Sequence, residues 1–100
     1  MTSLDSTPGP ALAVRPDMRD KRIVYVLRSA LDADRYYVGL TSDLRTRFAT
    51  HNSGGSVHTR AARPWQLVAS VEFRDAASAL EFERYLKTGS GRAFAKRHFR

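Results

Sequence analysis

The chain has 100 residues, the length of one ordinary domain, which excludes an enzyme with a separate cofactor domain. Hydrophobic residues make up 42% of the chain, enough for a modest packed core and too many for a wholly disordered protein. The 17 lysines and arginines outnumber the 10 acidic residues, for a net charge of +7, and residues 21–100 alone carry +8. Such a charge favours polyanionic partners, with nucleic acid first and an acidic membrane surface second.

The sequence contains no cysteine, which excludes disulfides, thiolate zinc sites and thiol nucleophiles. No apolar run approaches the roughly 18 residues of a membrane span. The longest apolar stretch near the N-terminus, residues 11–14, is too short for a signal-peptide core and follows no basic segment. We therefore expect a cytoplasmic protein without a membrane partner. Residues 1–20 mix Ser, Thr, Asp and Pro around Gly9, a composition typical of a flexible leader, so the domain is expected in residues 21–100.

The first half of this domain predicts a hairpin followed by a helix. Residues 23–27 form a β-branched and aromatic run, and residues 35–40 repeat that chemistry after a short turn, which predicts two antiparallel strands. A glycine within the second strand, Gly39, indicates close approach of another group to the backbone. Asp43 provides a capping side chain for a helix over residues 44–52, which the following Ser-Gly-Gly segment ends.

The second half predicts a third strand and two further helices. A polar, basic loop over residues 54–64 leads to strand chemistry in residues 65–74. Asp75 then caps a helix over residues 76–88, and Ser90 is expected to cap a basic third helix over residues 92–99. The order β-β-α-β-α-α predicts a small α/β domain, in which helices flank a three-stranded, mainly antiparallel sheet.

In the second predicted helix, Glu83 falls on the apolar arc of the helical wheel, beside Phe82 and Leu86. A carboxylate directed at the core needs a cationic partner, because an uncompensated buried charge is unfavourable by several kcal/mol. Two interpretations stay open. Glu83 forms an ordinary ion pair with Lys87 on a slightly rotated helix, where both groups reach water, or it is the ligand of a hard divalent cation such as Mg²⁺.

The first predicted helix shows a similar anomaly. His51 interrupts the apolar stripe of Leu44 and Phe48, and Arg47 lies one turn earlier on the same side. A lone histidine on such a face is most often a satisfied structural group. A guanidinium and an imidazole that converge at the edge of a sheet, however, can together bind a phosphate group.

Three of the four tyrosines fall in the two predicted strands of the hairpin: Tyr25 in the first, Tyr36 and Tyr37 in the second. Tyrosine in a strand usually serves packing. Paired strands nevertheless place the side chains of one face close together, so Tyr25 and one tyrosine of the second strand can present neighbouring hydroxyl groups. Gly39, two residues after Tyr37, would leave that face open.

These residues resemble the motifs of the GIY-YIG endonuclease superfamily, specifically its small single-domain bacterial group. The first motif is Ile23-Val24-Tyr25, in which isoleucine replaces the glycine of the family name, and the second is Tyr37-Val38-Gly39. The resemblance covers residues 23–99. Its remaining elements, in chain order, are Arg47, His51, the segment Asn52-Ser53-Gly54-Gly55, the segment Arg63-Pro64-Trp65, Glu83 and residues 87–92.

The resemblance implies hydrolysis of phosphodiester bonds in nucleic acid by in-line attack of water, assisted by one divalent cation, Mg²⁺ or Mn²⁺. Glu83 would be the protein ligand of this metal, and Arg47 would stabilise charge on the phosphoryl oxygens. Tyr25 is the candidate general base, and Tyr37 or His51 could assist it or exchange roles with it. Gly39 and Asn52 would complete the motif as structural residues.

DNA, including branched DNA, is the expected substrate ahead of RNA, with selection of structure rather than sequence or with targeting by a protein partner. A monomer or weak dimer is expected. Two alternatives stay open: a non-catalytic nucleic-acid-binding module that retains a vestigial site, and a protein that binds an acidic protein partner. Seven basic residues are expected either to hold backbone phosphates or to form ordinary solvated surface: Arg45, Arg60, Arg63, Lys87, Arg92, Lys96 and Arg97.

Overall fold

The structure is a computed structural model that describes residues 20–99, so all of the predicted leader except Asp20 lies outside the described residues. A short 3₁₀ turn, Arg60–Ala62, precedes the last strand. The element order confirms the predicted α/β fold. The strands are β1 (Ile23–Ser29), β2 (Tyr36–Thr41) and β3 (Trp65–Glu72), and the helices are α1 (Leu44–Ser53), α2 (Ala76–Leu86) and α3 (Gly89–His98).

The sheet has the order β2-β1-β3, and both strand pairs are antiparallel. The central strand, β1, is covered on both faces, which explains why its sequence is continuously apolar rather than alternating. Val24 and Val26 pack with residues of α2 and α3 in one core. Tyr25 and Leu27 point to the opposite face, into a second core to which α1 contributes. The sheet therefore separates two cores, and α1 lies on the tyrosine side.

The first two helices begin where their capping residues predict. The Asp43 carboxylate accepts a hydrogen bond from the backbone N–H of Thr46, and the Asp75 carboxylate accepts one from Ser78. These caps satisfy backbone donors that the first helical turn leaves without partners. Gly54 ends α1 in the left-handed conformation, with φ at 88°, which favours glycine.

The predicted boundary between α2 and α3 is wrong by a few residues. The N-cap of α3 is Thr88, whose side chain accepts a hydrogen bond from the N–H of Gly91, so Ser90 lies within the first turn instead of capping it. Helix α2 accordingly ends at Leu86. The two helices meet so closely that a Cβ on Gly91 would lie 2.6 Å from the Cα of Leu86. This tight crossing selects the earlier of two suitable capping residues.

The bounds of all three strands also differ from the prediction, and β2 does so by one residue at each end, since it runs over Tyr36–Thr41 instead of residues 35–40. Strand β1 continues to Ser29, which pairs with Trp65 at the start of β3. Strand β3 ends at Glu72, and Phe73 turns into the core, where its ring centroid lies 5.4 Å from that of Phe82. None of the helices within residues 20–99 is long and apolar enough to cross a membrane.

Candidate active site

The candidate site begins at Tyr25, in the middle of the central strand. Tyr25 lies directly opposite Gly39 in the β1–β2 register, and its side chain points to the α1 face. A Cβ on Gly39 would lie 2.8 Å from Cε1 of the Tyr25 ring and closer still to Cζ and the hydroxyl oxygen. The absence of a side chain at this position therefore lets the phenol extend across β2, an edge strand of the sheet.

Helix α1 places His51 against this phenol. His51 is fully buried, with 0% of its surface exposed, and its Nε2 lies 2.8 Å from the Tyr25 hydroxyl. The His51 and Tyr37 ring centroids are 4.9 Å apart, so the imidazole contacts both motif tyrosines. Burial, followed by the charge of Arg47, lowers the pKa of His51 below its ordinary value of 6.5. The imidazole is therefore neutral at neutral pH.

Arg47 lies one turn before His51 and also faces the two phenols. Its hydrogen bond with Tyr25 is the main influence that raises the pKa of Arg47, and a weaker hydrogen bond with Tyr37 acts in the same direction. Arg47 also borders a cavity of about 200 Å³, lined in addition by Lys21, Thr41 and Ser42. Arg47 thus lies between the two phenols, of which only Tyr25 is fully buried, and an opening that carries the Lys21 cation and two hydroxyl groups.

The protonation state of Tyr25 reflects opposing influences. Burial raises the pKa of the phenol above its ordinary value of 10, and the charges of Tyr37 and Glu83 act in the same direction. The hydrogen bond and the positive charge of Arg47 lower that pKa without reversing the effect of burial. In the protein alone, the phenol therefore keeps its proton at neutral pH, and Arg47 is the group that favours its ionisation.

Glu83 comes from α2, a helix that packs on the other face of the sheet and contacts β2. Its side chain is only 13% exposed and forms an ion pair with Lys87, whose side chain is 55% exposed. The ion-pair interpretation is therefore correct as to the partner, but only Lys87 reaches bulk water. Glu83 remains a largely buried carboxylate whose charge acts on the Tyr25 phenol.

The donor groups decide which metal the site can hold. Within residues 20–99, no three His, Cys, Asp or Glu side chains lie together in a cluster suited to a metal ion, which excludes a closed zinc site there. A single buried carboxylate, Glu83, fits a hard cation such as Mg²⁺ or Mn²⁺, which is commonly held by one carboxylate together with waters and phosphate oxygens. The Lys87 ammonium group competes with such a cation for Glu83.

Asn52 joins α1 to the start of β3. Its side-chain oxygen accepts a hydrogen bond of 2.6 Å from the N–H of Trp65, and its amide donates one of 3.1 Å to the Trp65 carbonyl. The Trp65 indole in turn donates a hydrogen bond of 2.9 Å to the carbonyl of Thr59. Asn52 thus anchors the helix that carries His51 to the start of β3.

Thr59 is a residue that the sequence did not reveal. It is 1% exposed, and its Oγ1 lies 2.7 Å from Nδ1 of His51, on the side of the ring away from Tyr25. The loop that contains it is predicted from sequence only as polar and basic, and a threonine eight positions after a histidine carries no recognisable signal. Only the folded loop shows the contact.

The seven basic residues named above are all exposed, but the structure does not gather them into one patch. Lys87 and Arg92 line a groove of about 330 Å³ that Tyr37 also borders, so these two lie beside the site. Arg60 and Arg63 stabilise their own loop by donating Nε–H hydrogen bonds to the carbonyls of Gly54 and Arg60. The others lie on helices away from these contacts: Arg45 on α1, and Lys96 and Arg97 on α3.

Comparison with known proteins defines the class to which this arrangement belongs. Residues 21–97 match the model of the GIY-YIG catalytic domain, so the chain belongs to the GIY-YIG family, a family of endonucleases. The resemblance predicted from the motifs is thereby confirmed.

Particular relatives are found in bacteria and in a fungus. A UPF0213 protein of Streptococcus pneumoniae serotype 4 (strain ATCC BAA-334 / TIGR4) is 39% identical over 71 residues, which cover 70% of each protein. Structure-specific endonuclease subunit SLX1 of Podospora anserina is 39% identical over 66 residues, 60% of this chain but only 19% of SLX1. The solution NMR structure of UPF0213 protein BH0048 from Bacillus halodurans is 28% identical, with a TM-score of 0.49, over 79% of this chain and 86% of that one.

Proposed function

We propose that this protein is a metal-dependent endonuclease that hydrolyses phosphodiester bonds, with DNA preferred over RNA and structure selected rather than sequence. The observation that carries the proposal is the convergence of Tyr25, Arg47 and His51, in which a charged guanidinium and an imidazole meet one phenol in the opening over Gly39. Membership of the GIY-YIG family and similarity to part of SLX1 support the same activity.

Arg47 is the group we assign to the phosphate. Its guanidinium stays charged, and it borders a cavity whose lining also includes the Lys21 cation and the hydroxyls of Thr41 and Ser42. Guanidinium and ammonium groups with nearby hydroxyls are the usual ligands of nucleic-acid phosphates. A phosphate in this cavity would receive from Arg47 the charge stabilisation that a phosphoryl transition state requires.

Tyr25 is the group we assign to the attacking water. His51 is fully buried between Tyr25 and Thr59, so it reaches substrate only through the phenol. Tyr25 is itself 1% exposed, and Arg47 is the cation that lowers the pKa of its hydroxyl group against the effect of burial. Arg47 is thus the group that would act both on a bound phosphate and on the phenol.

Glu83 would hold the divalent cation, and its low exposure together with its single carboxylate suits that role. The cation would supply Lewis-acid stabilisation of the scissile phosphate and of the leaving oxygen. The protein's own contribution is to hold this carboxylate at low exposure beside the Lys87 ammonium group.

The remainder of the substrate would follow the groove beside β2. Lys87 and Arg92 lie at this groove, and its wall includes the ring of Tyr36 as well as Tyr37. Two cations and aromatic side chains are typical of surfaces that bind a nucleic-acid strand through its phosphates and bases. Branched and single-stranded DNA, in which bases are accessible outside a stacked duplex, are therefore the substrates to examine first.

The test is a cleavage assay on the full chain with branched, single-stranded and duplex DNA and with RNA, in Mg²⁺, Mn²⁺ or EDTA. We expect metal-dependent cleavage that Glu83→Gln abolishes while nucleic-acid binding is retained. Glu81→Gln is the matched control, because Glu81 lies on the same helix with its side chain exposed. Binding without cleavage under every condition would favour the non-catalytic module, and the absence of salt-dependent binding would favour an acidic protein partner.

A further inference from the structure

Lys87 belongs to two sites at once. Its ammonium group forms the ion pair with Glu83, and the same residue lines the groove of about 330 Å³ beside β2. Lys87 is the C-cap of α2, and its side chain is 55% exposed. Lysine carries its three donors on a flexible four-carbon stem, so the ammonium group can change partners while the helix stays in place. One side chain therefore connects the groove with the carboxylate that we assign to the metal.

The two members of this ion pair depend on each other to different degrees. Lys87 is largely solvated, whereas the Glu83 side chain is only 13% exposed, and Lys87 is its only ion-pair partner within residues 20–99. Removing one partner from a largely buried ion pair is unfavourable, because the other charge is left uncompensated. If Lys87 leaves Glu83, another cation is therefore needed in its place.

A nucleic-acid phosphate in the groove competes with Glu83 for the ammonium group. Phosphate and carboxylate oxygens accept the same kind of charge-assisted hydrogen bond from a lysine. Arg92 lies in the wall of the same groove, where it provides a second cation for the strand. A divalent cation in turn competes with Lys87 for Glu83. Both competitions favour one arrangement, in which the phosphate pairs with Lys87 and the carboxylate holds the metal.

We propose that Lys87 couples the two binding events: its ammonium group occupies Glu83 in the free protein, and a phosphate in the groove draws it away and opens the carboxylate to the divalent cation. This coupling rests on the proposed function, because it takes Glu83 as the metal ligand and the groove as the path of the substrate. Linkage between two binding sites is reciprocal, so each ligand strengthens binding of the other. The metal site is then weak in the free protein and is completed on the nucleic acid.

The change of partner by Lys87 can be measured without any metal. Carbon-13 NMR of the glutamate side chains in EDTA follows the Glu83 carboxylate in the full chain, with and without a single-stranded oligonucleotide. Lys87→Gln gives the signal of this carboxylate without its ammonium partner. We expect the bound oligonucleotide to move the wild-type signal toward that position and to leave the signal of Lys87→Gln nearly unchanged. A wild-type signal that stays in place while the oligonucleotide is bound would overturn the proposal.

Metal binding without nucleic acid is the second measurement. Titration with Mn²⁺, followed by paramagnetic broadening of the amide signals around Glu83, gives the affinity of the free protein. Exposed ion pairs are weak, so we expect Lys87→Gln to bind Mn²⁺ roughly 2- to 5-fold more tightly than the wild type. Arg84→Gln is the matched control, because it removes the same charge from an exposed position next to Glu83 and keeps the ion pair. Equal tightening in both variants, or none in Lys87→Gln, would overturn the proposal.

Neither measurement depends on cleavage. If Glu83→Gln cleaves nucleic acid as the wild type does, the metal assignment in the proposed function fails, whereas the shift of the Glu83 signal in EDTA still shows whether Lys87 changes partners. If Lys87→Gln does not fold, the nitrogen-15 signal of the Lys87 ammonium group gives the same answer in the wild type alone. That signal should move when the oligonucleotide binds, and an unchanged signal would contradict the coupling.

Discussion

Replacing Gly39 with alanine would close the opening through which the Tyr25 phenol crosses β2. The added Cβ would lie 2.8 Å from Cε1 of the ring, and nearer still to Cζ and the hydroxyl oxygen. Carbon atoms in contact normally lie about 3.5–4.0 Å apart, so the ring must move by about 1 Å or more. Gly39 and Tyr25 are paired in the β1–β2 ladder, which holds both backbones, so we expect the ring to move rather than the strands.

The expected losses of stability and activity follow from the contacts that this displacement of the Tyr25 ring disturbs. Overpacking of a buried group reduces the free energy of unfolding by about 1–3 kcal/mol. The same shift would stretch the 2.8 Å contact between Tyr25 and His51 beyond hydrogen-bonding distance. A misplacement of about 1 Å in a catalytic group can lower the rate about 100-fold. Gly39→Ala should therefore lose both stability and activity, and the loss of activity should persist when all of the protein is folded.

Urea unfolding gives the stability, and single-turnover cleavage under conditions where both proteins are folded gives the rate. Gly89→Ala is the control, because a Cβ at that position in α3 meets no atom within 4 Å. Alanine is a better helix former than glycine, so the control should unfold at the same or a higher urea concentration and cleave normally. Wild-type stability together with wild-type cleavage in Gly39→Ala would contradict the close contact between Gly39 and the Tyr25 ring.

Three further predictions concern the support of α1, protonation and substrate binding. Asn52→Ala removes both hydrogen bonds to the Trp65 backbone and should lower the free energy of unfolding by about 1–3 kcal/mol in urea titrations. Because the pKa of His51 is lowered from 6.5, the unfolded chain binds more protons, and stability should fall as pH drops below that value, by at most about 1.4 kcal/mol per pH unit. In the same titration, the free energy of unfolding of His51→Gln should fall less steeply as pH drops. An unchanged slope of this free energy against pH would contradict the lowered pKa of His51. Arg92→Gln should weaken binding of different DNA sequences equally and reduce the salt dependence of log K by about one unit, measured by fluorescence anisotropy.

The parts of the fold that follow from neighbours in the chain are predictable from sequence. Asp43 and Asp75 mark helix starts because a capping side chain acts within three residues of its own position. Neighbouring residues alone do not predict the first residue of α3, because Thr88 and Ser90 are both suitable caps. The choice between them depends on the close contact of Gly91 with the end of α2, and capping residues in the sequence do not reveal this contact.

Residue identity and spacing reveal which chemistry is present: a phenol, a guanidinium, an imidazole and a carboxylate, in the order and spacing of a GIY-YIG domain. How these groups are connected is visible only in the folded molecule. It alone places β1 between the other strands, leaves Glu83 13% exposed beside Lys87, and brings the Thr59 hydroxyl to His51. The physical reason is that side-chain type and local periodicity are properties of short segments, whereas burial and hydrogen-bond partners arise from segments that meet only on folding.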